Sequence, residues 1–171
     1  MQAWVTLFEA WHPHGCCALD VGGRDGVLAK MFSPCSYTVL EQESDVVGGT
    51  DAVSCDILNC TSVAPCSFDL ITMQNVLEHI VDPKAAVGTI GGLLRPGGMF
   101  MVWSPWIWRY HAQPTYGDNW RFSTRALEVL CIAAGMNPVI SFTNTWKLAI
   151  RNTQSRTRST MATRSLRLTS L

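Results

Sequence analysis

The stretch that decides the fold reads CALDVGGRDG and spans residues 17–26. A short apolar run leads to an acid, Asp20, and then to glycines at positions 22, 23 and 26. Parallel α/β sheets build a nucleotide-binding turn in this order, at the carboxyl end of their first strand. Glycine permits a positive φ there and lets backbone N–H groups approach a ligand closely. We therefore expect a cofactor-binding turn that uses Asp20, Gly22, Gly23 and Gly26.

The spacing of the glycines separates two kinds of cofactor. A dinucleotide fingerprint has glycines at the first, third and sixth places of G-x-G-x-x-G. Counted from Gly22, the third place is Arg24 and the sixth is Val27, so the sequence lacks this fingerprint. The remaining pattern, D-x-G-x-x-x-G from Asp20 to Gly26, resembles motif I of class I S-adenosylmethionine (SAM) methyltransferases.

Length and composition restrict the class of protein. A chain of 171 residues with 47% hydrophobic and 15% charged residues is typical of a single globular domain. No apolar run reaches the roughly 20 residues that span a bilayer, and residues 1–9 lack the basic start of a signal peptide. The seven cysteines form no C-x-x-C pair, so we expect buried thiols, a reducing cytoplasmic compartment and no metal site.

The formal net charge of zero hides an asymmetry between the two parts of the chain. All 13 acidic residues lie within residues 1–150, whereas residues 151–171 are basic, rich in Ser and Thr, and contain no acid. We expect a folded domain over residues 1–150 and a solvated tail over 151–171 that folding does not require. Contact of this tail with RNA or an acidic membrane is the alternative.

Short apolar runs alternate with helical patterns along the domain, as in a mostly parallel sheet covered on both faces. The expected strands are 16–21, 37–41, 52–55, 68–73 and, after a turn at 95–98, 99–103. The expected helices are 26–32, 83–94 and 123–134. Two last runs, 138–142 and 146–150, predict an antiparallel closing pair. Too few residues separate strands 2 and 3 for a full crossover helix, so we expect a loop or single turn there. The fold class is a Rossmann-like, doubly wound α/β sheet.

Acidic side chains follow the second and third predicted strands, where the cofactor would extend. Glu41 can accept hydrogen bonds from both ribose hydroxyls, and a solvated acid at a strand end is the alternative. Asp56 can receive the exocyclic amine of adenine, and a simple turn acid is the alternative. Ile57 and Gln74 complete the expected cofactor contacts.

A longer series of motifs extends the resemblance. The segments FDLI (68–71), NVLEH (75–79), DP (82–83) and LRPGG (94–98) resemble the FDlv…vLEH…dP…lLkPGG series of methyltransferase type-11-like proteins. The tract HAQPTYGDNWRF (111–122) resembles a subgroup with H-x-x-P-x-D-Y-W-R-F-T-P. It departs from that pattern by an extra residue before Asp118, by Asn119 in place of tyrosine and by Arg125 in place of proline. The resemblance covers roughly residues 16–136.

The resemblance implies a SAM-dependent methyltransferase, in which the cofactor already carries an activated methyl group. The protein must align the reactants, exclude water and in some cases remove a proton. His79 and His111 are the histidines on predicted pocket loops and are the candidate catalytic bases. For His79 the alternative is a structural histidine that bonds to loop backbone. Arg121 is expected to pair with Asp118 or Glu78.

Five aromatic residues crowd the region after strand 5. They could wall a substrate pocket, contact the sulfonium or pack beneath a loop. They are Trp103, Trp106, Trp108, Tyr110 and Trp120.

The methyl acceptor is expected to be a small molecule or a lipid- or sugar-linked group, with no nucleic-acid partner. An N-P-P-Y-type loop, common in enzymes that methylate nucleic-acid or protein amide nitrogens, does not follow strand 4, where residues 74–77 read QNVL. The alternative is a non-catalytic methyltransferase-like protein that binds SAM or a partner. A dehydrogenase is disfavoured by Arg24 within the glycine turn.

Overall fold

A computed structural model describes residues 15–24, 28, 36–42, 51–142 and 147–152, which form one seven-stranded sheet. The strands are β1 (Cys17–Val21), β2 (Ser36–Glu41), β3 (Asp51–Ser54), β4 (Phe68–Gln74), β5 (Leu94–Trp103), β6 (Met136–Phe142) and β7 (Lys147–Asn152). Their spatial order is β3-β2-β1-β4-β5-β7-β6. The helices are α1 (Pro83–Leu93) and α2 (Thr124–Ala133), and Leu77–His79 form a 3₁₀ turn.

The central strands are apolar on both faces because they lie inside the domain. Leu19 of β1, Leu70 and Ile71 of β4, and Phe100 of β5 are fully buried. Strands β1 to β5 pair in parallel, whereas β7 pairs antiparallel to both β5 and β6. The expected Rossmann-like sheet and its antiparallel closing strands are therefore confirmed.

The two helices begin where the sequence supplies caps. The Asp82 carboxylate accepts a hydrogen bond from Ala85 N (2.9 Å), with proline at the first helical position of α1. Ser123 Oγ accepts from Ala126 N (3.1 Å) at the start of α2. Gly135 follows that helix with φ +77°, a conformation that favours glycine.

The start of β5 differs from the expected boundary. The strand begins at Leu94 rather than at Met99, and residues 95–98 bulge within it, because Phe68 pairs with Leu94 while Leu70 pairs with Met99. Asp69 lies opposite the bulge, where it pairs with Arg95 (2.6 Å) and accepts from Cys17 N (2.9 Å). The turn residues thus interrupt a strand that continues on both sides.

Several expectations fall outside the described residues. They are the helix at 26–32, the link between β2 and β3 at 43–50, and the tail after Asn152; Arg151 itself belongs to β7. Among the described helices, none has the length and apolar character needed to cross a membrane.

The expectation of free thiols throughout is wrong. Cys55 and Cys60 are joined by a disulfide, and Cys16 is also disulfide-bonded. The turn after β3 brings the Cα atoms of Cys55 and Cys60 to 5.5 Å, inside the range that a disulfide spans, although their spacing is not C-x-x-C. Cys17, Cys66 and Cys131 are free, and burial raises the pKa of the Cys131 thiol.

Candidate active site

A cavity of about 470 Å³ lies at the carboxyl ends of the parallel strands, within the size range of small-molecule sites. We call its two sides the glycine wall and the loop wall. The glycine wall follows β1, β2 and β3, and it includes Gly22, Glu41, Asp56 and Ile57. The loop wall comprises residues 79–81 and 115–117. The two walls meet at Asn75 and Val76, directly after β4.

The glycine turn is packed so closely that side chains are excluded from it. Gly22 has φ +72°, and its N–H donates to Leu40 O (2.8 Å). A Cβ atom at Gly22 would overlap the Val76 side chain, and one at Gly23 would overlap the Asp20 carboxylate. The turn expected from the sequence is therefore present at Gly22 and Gly23, and Gly26 lies outside the described residues.

Asp20 supports the turn from inside the sheet and does not line the cavity. Its buried carboxylate accepts hydrogen bonds from the Tyr37 hydroxyl and from Thr72 Oγ1 (2.8 Å). Burial raises the pKa of Asp20 to about 6, while these two hydrogen bonds oppose the rise and the charge of Glu41 adds to it. Burial and the adjacent Asp20 also raise the pKa of Tyr37.

The other residues expected at the cofactor site divide into two groups. Glu41, Asp56 and Ile57 line the cavity, and Glu41 Oε1 accepts from Arg24 N (2.7 Å). Asp56 Oδ1 accepts from Leu58 N (2.9 Å), so this residue also closes a turn. Gln74 is exposed and is not among the described lining residues. The neighbouring Asn75, with φ +53°, is the residue that reaches the cavity.

Beside the loop wall, Glu78 lies next to the two candidate histidines. Its carboxylate is fully buried; Oε2 accepts from Ser104 Oγ (2.8 Å), while Oε1 has no hydrogen-bond partner. Oε1 is 3.9 Å from His79 Nε2, and the rings of His79 and His111 meet edge to face with centroids 4.9 Å apart. Burial raises the pKa of Glu78. The sequence analysis considered Glu78 only as a partner of Arg121, although its place directly before His79 was an available signal.

Each histidine is held by its Nδ1 atom. His79 Nδ1 lies 2.6 Å from Gly117 O, a carbonyl that only accepts, so Nδ1 carries the proton. His111 Nδ1 lies 3.1 Å from both Arg109 O and Asp118 Oδ2, which are also acceptors. The structural hydrogen bond considered for His79 is therefore present. His79 lines the cavity, whereas His111 is not among the described lining residues.

The loop after β5 is hydrogen-bonded along the 3₁₀ turn. Asn119 N and Trp120 N both donate to Glu78 O (2.9 and 3.2 Å). The side chains of the same two residues donate to His79 O (3.0 Å) and Ile80 O (2.9 Å). The backbone of residues 78–80 is thus fixed by the loop that carries Asp118.

The expected ion pair of Arg121 forms with Asp118. Both guanidinium Nη atoms bond to the carboxylate, Nη2 at 2.8 Å, and Nη2 also reaches Trp108 O and Arg109 O (3.3 and 3.2 Å). The Asp118 side chain is fully buried and accepts from His111 N (2.9 Å). Hydrogen bonding to Arg121 holds the pKa of Asp118 well below its usual range, against the opposing effect of burial.

The five aromatic residues that the sequence analysis singled out are not among the described residues that line the cavity. Trp106, Trp108 and Tyr110 are 49%, 61% and 77% exposed, so neither a pocket wall nor core packing describes them. The aromatic residue that lines the cavity is Tyr116, whose ring centroid is 4.5 Å from that of His79.

Comparison with known sequences shows a methyltransferase pattern. A family model described as a methyltransferase domain matches residues 1–139. An uncharacterized methyltransferase of Mycobacterium tuberculosis is 29% identical over 109 residues, which are 57% of this chain and 55% of that protein. The ubiquinone biosynthesis O-methyltransferase of Paraburkholderia phymatum is 28% identical over 100 residues, covering 51% and 43%. The chain thus spans about half the length of the curated relatives it matches.

Solved structures share the fold. The 1,6-didemethyltoxoflavin-N1-methyltransferase of Burkholderia thailandensis, solved with 1,6-didemethyltoxoflavin and S-adenosylhomocysteine, has a TM-score of 0.69 at 19% identity, covering 90% of this chain and 78% of that one. A Haloferax volcanii protein in complex with the Trm112 methyltransferase activator has a TM-score of 0.68 at 14% identity, covering 89% and 90%.

The Asp118–Arg121 pair predicts a loss of stability on removal of its cation. Arg121→Ala leaves a buried carboxylate without its partner, so the free energy of unfolding should fall by about 2 kcal/mol or more. Urea denaturation measures this change. Arg125→Ala, which removes a 75% exposed guanidinium from an i,i+3 pair, is the matched control and should change the value by less than about 0.5 kcal/mol. Equal effects of the two substitutions would contradict the assignment.

The raised pKa of Asp20 predicts a pH-dependent stability. The folded state holds this proton more tightly than the unfolded state, so the cost of the buried charge is present above pH 6 and disappears as the pH falls toward 3.8. Relative to Asp20→Asn, the wild-type protein should gain roughly 1 kcal/mol of unfolding free energy between pH 7 and pH 5. Urea denaturation of both proteins at the two pH values measures the difference, and parallel profiles would show that the carboxyl is ordinary.

Proposed function

This chain belongs to the methyltransferase-domain family, and from that premise we propose that it transfers the methyl group of SAM to a small-molecule acceptor. The observation that carries the proposal is the cavity with two chemically different walls. One wall combines a glycine turn with the carboxylates of Glu41 and Asp56, and the other combines His79 with apolar and hydroxyl side chains. The first wall suits a nucleoside cofactor, and the second suits the molecule that receives the methyl group.

The glycine wall matches the chemical groups of SAM. The backbone at Gly22 forms cavity surface where a side chain is sterically excluded, so a ligand can approach the main chain closely. The Glu41 carboxylate is suited to accept from ribose hydroxyls, while Leu40 and Ile57 offer apolar surface for a purine. When bound, SAM supplies the activated methyl group on its sulfonium, so the protein contributes binding, alignment and exclusion of water.

The acceptor loses a proton as it gains the methyl group, and we propose that one of the two histidines accepts this proton. His79 lines the cavity and its ring contacts that of His111. Each Nδ1 is held by an acceptor, so in the neutral rings each Nε2 has the lone pair that can accept the proton. The buried Glu78 carboxylate lies beside them, with Oε1 3.9 Å from His79 Nε2.

The relatives support a small-molecule acceptor. The name of the Paraburkholderia phymatum relative refers to ubiquinone biosynthesis, and the Burkholderia thailandensis neighbour was solved with 1,6-didemethyltoxoflavin. 1,6-Didemethyltoxoflavin is a small molecule, and a cavity of about 470 Å³ has the size that such ligands use. Retention of the turn, Glu41, Asp56 and both histidines favours an enzyme over a non-catalytic binding protein.

The first prediction of this assignment concerns cofactor identity. SAM and S-adenosylhomocysteine should bind, and NAD should bind more weakly than either. Because hydrogen bonds to a charged carboxylate are worth about 1.5–3 kcal/mol, Glu41→Ala should weaken SAM binding by roughly tenfold or more. Isothermal titration calorimetry measures these affinities, with Glu128→Gln on α2 as a control that should bind SAM like the wild type. NAD affinity equal to or tighter than that of SAM would overturn the cofactor assignment.

A second prediction separates acceptor chemistry from cofactor binding. His111→Ala should lower the rate of methyl transfer at saturating SAM by about 100-fold, the scale of general-base catalysis, while SAM affinity changes less than about threefold. The acceptor is first identified by screening a metabolite extract with methyl-labelled SAM. Rates and affinities are then measured on the same preparation, and equal losses in both would place His111 in the cofactor site.

A further inference from the structure

We propose that Glu78, His79 and His111 bind one divalent transition-metal ion of the Zn²⁺ class beside the loop wall of the cavity. Metal binding by these residues does not require methyl transfer. An ion held by both Nε2 atoms would occupy the lone pairs that accept the proton in the proposed function, so the base role given above is that of the metal-free protein. No metal site was expected from the sequence, because its cysteines form no C-x-x-C pair. These three ligands come instead from the turn after β4 and the loop after β5.

The spacing of the three side chains suits a shared ion. One potential ligand atom from each residue lies within 4.8 Å of the other two, and Glu78 Oε1 is 3.9 Å from His79 Nε2. Zinc binds nitrogen and oxygen ligands at about 2.1 Å in tetrahedral geometry, so two ligands of one ion lie roughly 3.4 Å apart. The 3.9 Å separation is too long for a direct hydrogen bond and exceeds this spacing by about half an ångström. The widest separation must close by roughly 1.4 Å on binding.

The protonation of the rings leaves the correct atoms available for a metal. Nδ1 of each histidine carries a proton, because it faces Gly117 O in one case and Arg109 O with Asp118 Oδ2 in the other. In the neutral rings, each Nε2 therefore presents a lone pair. Metal-binding histidines almost always donate their other N–H to a carbonyl or carboxylate in this way.

Glu78 provides an independent observation that points to a cation. Its Oε1 is buried with no hydrogen-bond partner, an arrangement that is costly for a carboxylate. Among the ion pairs of the described residues, no Lys or Arg pairs with Glu78, and the nearby Arg121 is bonded to Asp118. Neutral His79 cannot donate to Oε1, because its one N–H points to Gly117 O. A metal ion would satisfy the lone pairs of Oε1 and both Nε2 atoms together.

The ligand chemistry selects the class of ion. Two imidazole nitrogens with one carboxylate oxygen suit Zn²⁺ and Fe²⁺, whereas Mg²⁺ and Ca²⁺ prefer all-oxygen sites. Three protein ligands leave at least one coordination position for another molecule. Because His79 also lines the cavity, that position is suited to an oxygen or nitrogen of the acceptor. This role rests on the proposed function, whereas the binding site itself does not.

The test is direct binding of Zn²⁺ to the full chain. Free thiols are first blocked with iodoacetamide, because cysteine also binds zinc, and binding is measured by calorimetry. The wild type should bind one Zn²⁺ per chain and should not respond to equal concentrations of Mg²⁺. Glu78→Gln, which can keep the Ser104 hydrogen bond, and His111→Ala should each weaken Zn²⁺ binding at least 100-fold. Glu128→Gln is the matched carboxylate control and should bind like the wild type.

A second measurement does not depend on any variant folding. Co²⁺ added to the blocked wild-type protein should give the visible absorption of a nitrogen- and oxygen-ligated ion, without a thiolate charge-transfer band, and Zn²⁺ should displace it. Absence of stoichiometric Zn²⁺ binding, or wild-type affinity in Glu78→Gln, would overturn the site. SAM titration of the same samples separates the two proposals: SAM binding without zinc binding refutes the metal site alone, and zinc binding without SAM binding refutes the proposed function alone.

Discussion

Close packing at the end of β1 is the constraint on which the rest of the site depends. Side chains are excluded at Gly22 by Val76 and at Gly23 by the Asp20 carboxylate. Because Gly22 follows β1 and Val76 follows β4, their close packing connects two neighbouring strands at the point where both cavity walls begin. The width of the cavity therefore follows from backbone packing. Larger side chains at these glycines would change the cavity even without touching a ligand.

A second constraint holds the loop wall in place. This wall contains no long helix or strand, so hydrogen bonds must supply its rigidity. Asn119 and Trp120 bond to the backbone of residues 78–80, and the Asp118–Arg121 pair fixes the loop that carries His111. His79 and His111 lie 32 positions apart, on the turn after β4 and on the loop after β5, yet their rings are in contact. Their contact is a consequence of this bonded loop.

Sequence reasoning predicted the features that local chemistry decides and missed those that depend on tertiary contacts. The parallel sheet with its antiparallel closing strands, the two helices at 83–94 and 123–134, and the turn at Gly22 follow from periodicity and from φ requirements. The bulge in β5 did not, since it depends on pairing with Phe68 and Leu70 of another strand. The Cys55–Cys60 disulfide depends on a turn whose closure the spacing did not reveal. The choice of Asn75 over Gln74 at the cavity is a matter of one backbone angle, φ +53° at Asn75.

Three carboxylates with buried side chains lie near the cavity, and their different hydrogen-bond and charge partners shift their pKa values differently. The Asp118 carboxylate forms an ion pair with the Arg121 guanidinium, which lowers its pKa below the usual range. The Asp20 carboxylate accepts hydrogen bonds from two hydroxyl groups but pairs with no cation among the described residues. The effect of burial is therefore larger than that of the hydrogen bonds, and the pKa of Asp20 rises to about 6. Glu78 accepts one hydrogen bond from a hydroxyl at Oε2 and has no hydrogen-bond partner at Oε1, although two imidazoles lie next to it. The first two arrangements are complete within the described residues. In the third, lone pairs converge and no Lys or Arg of the described residues forms an ion pair with the carboxylate, which is the arrangement that a bound cation completes.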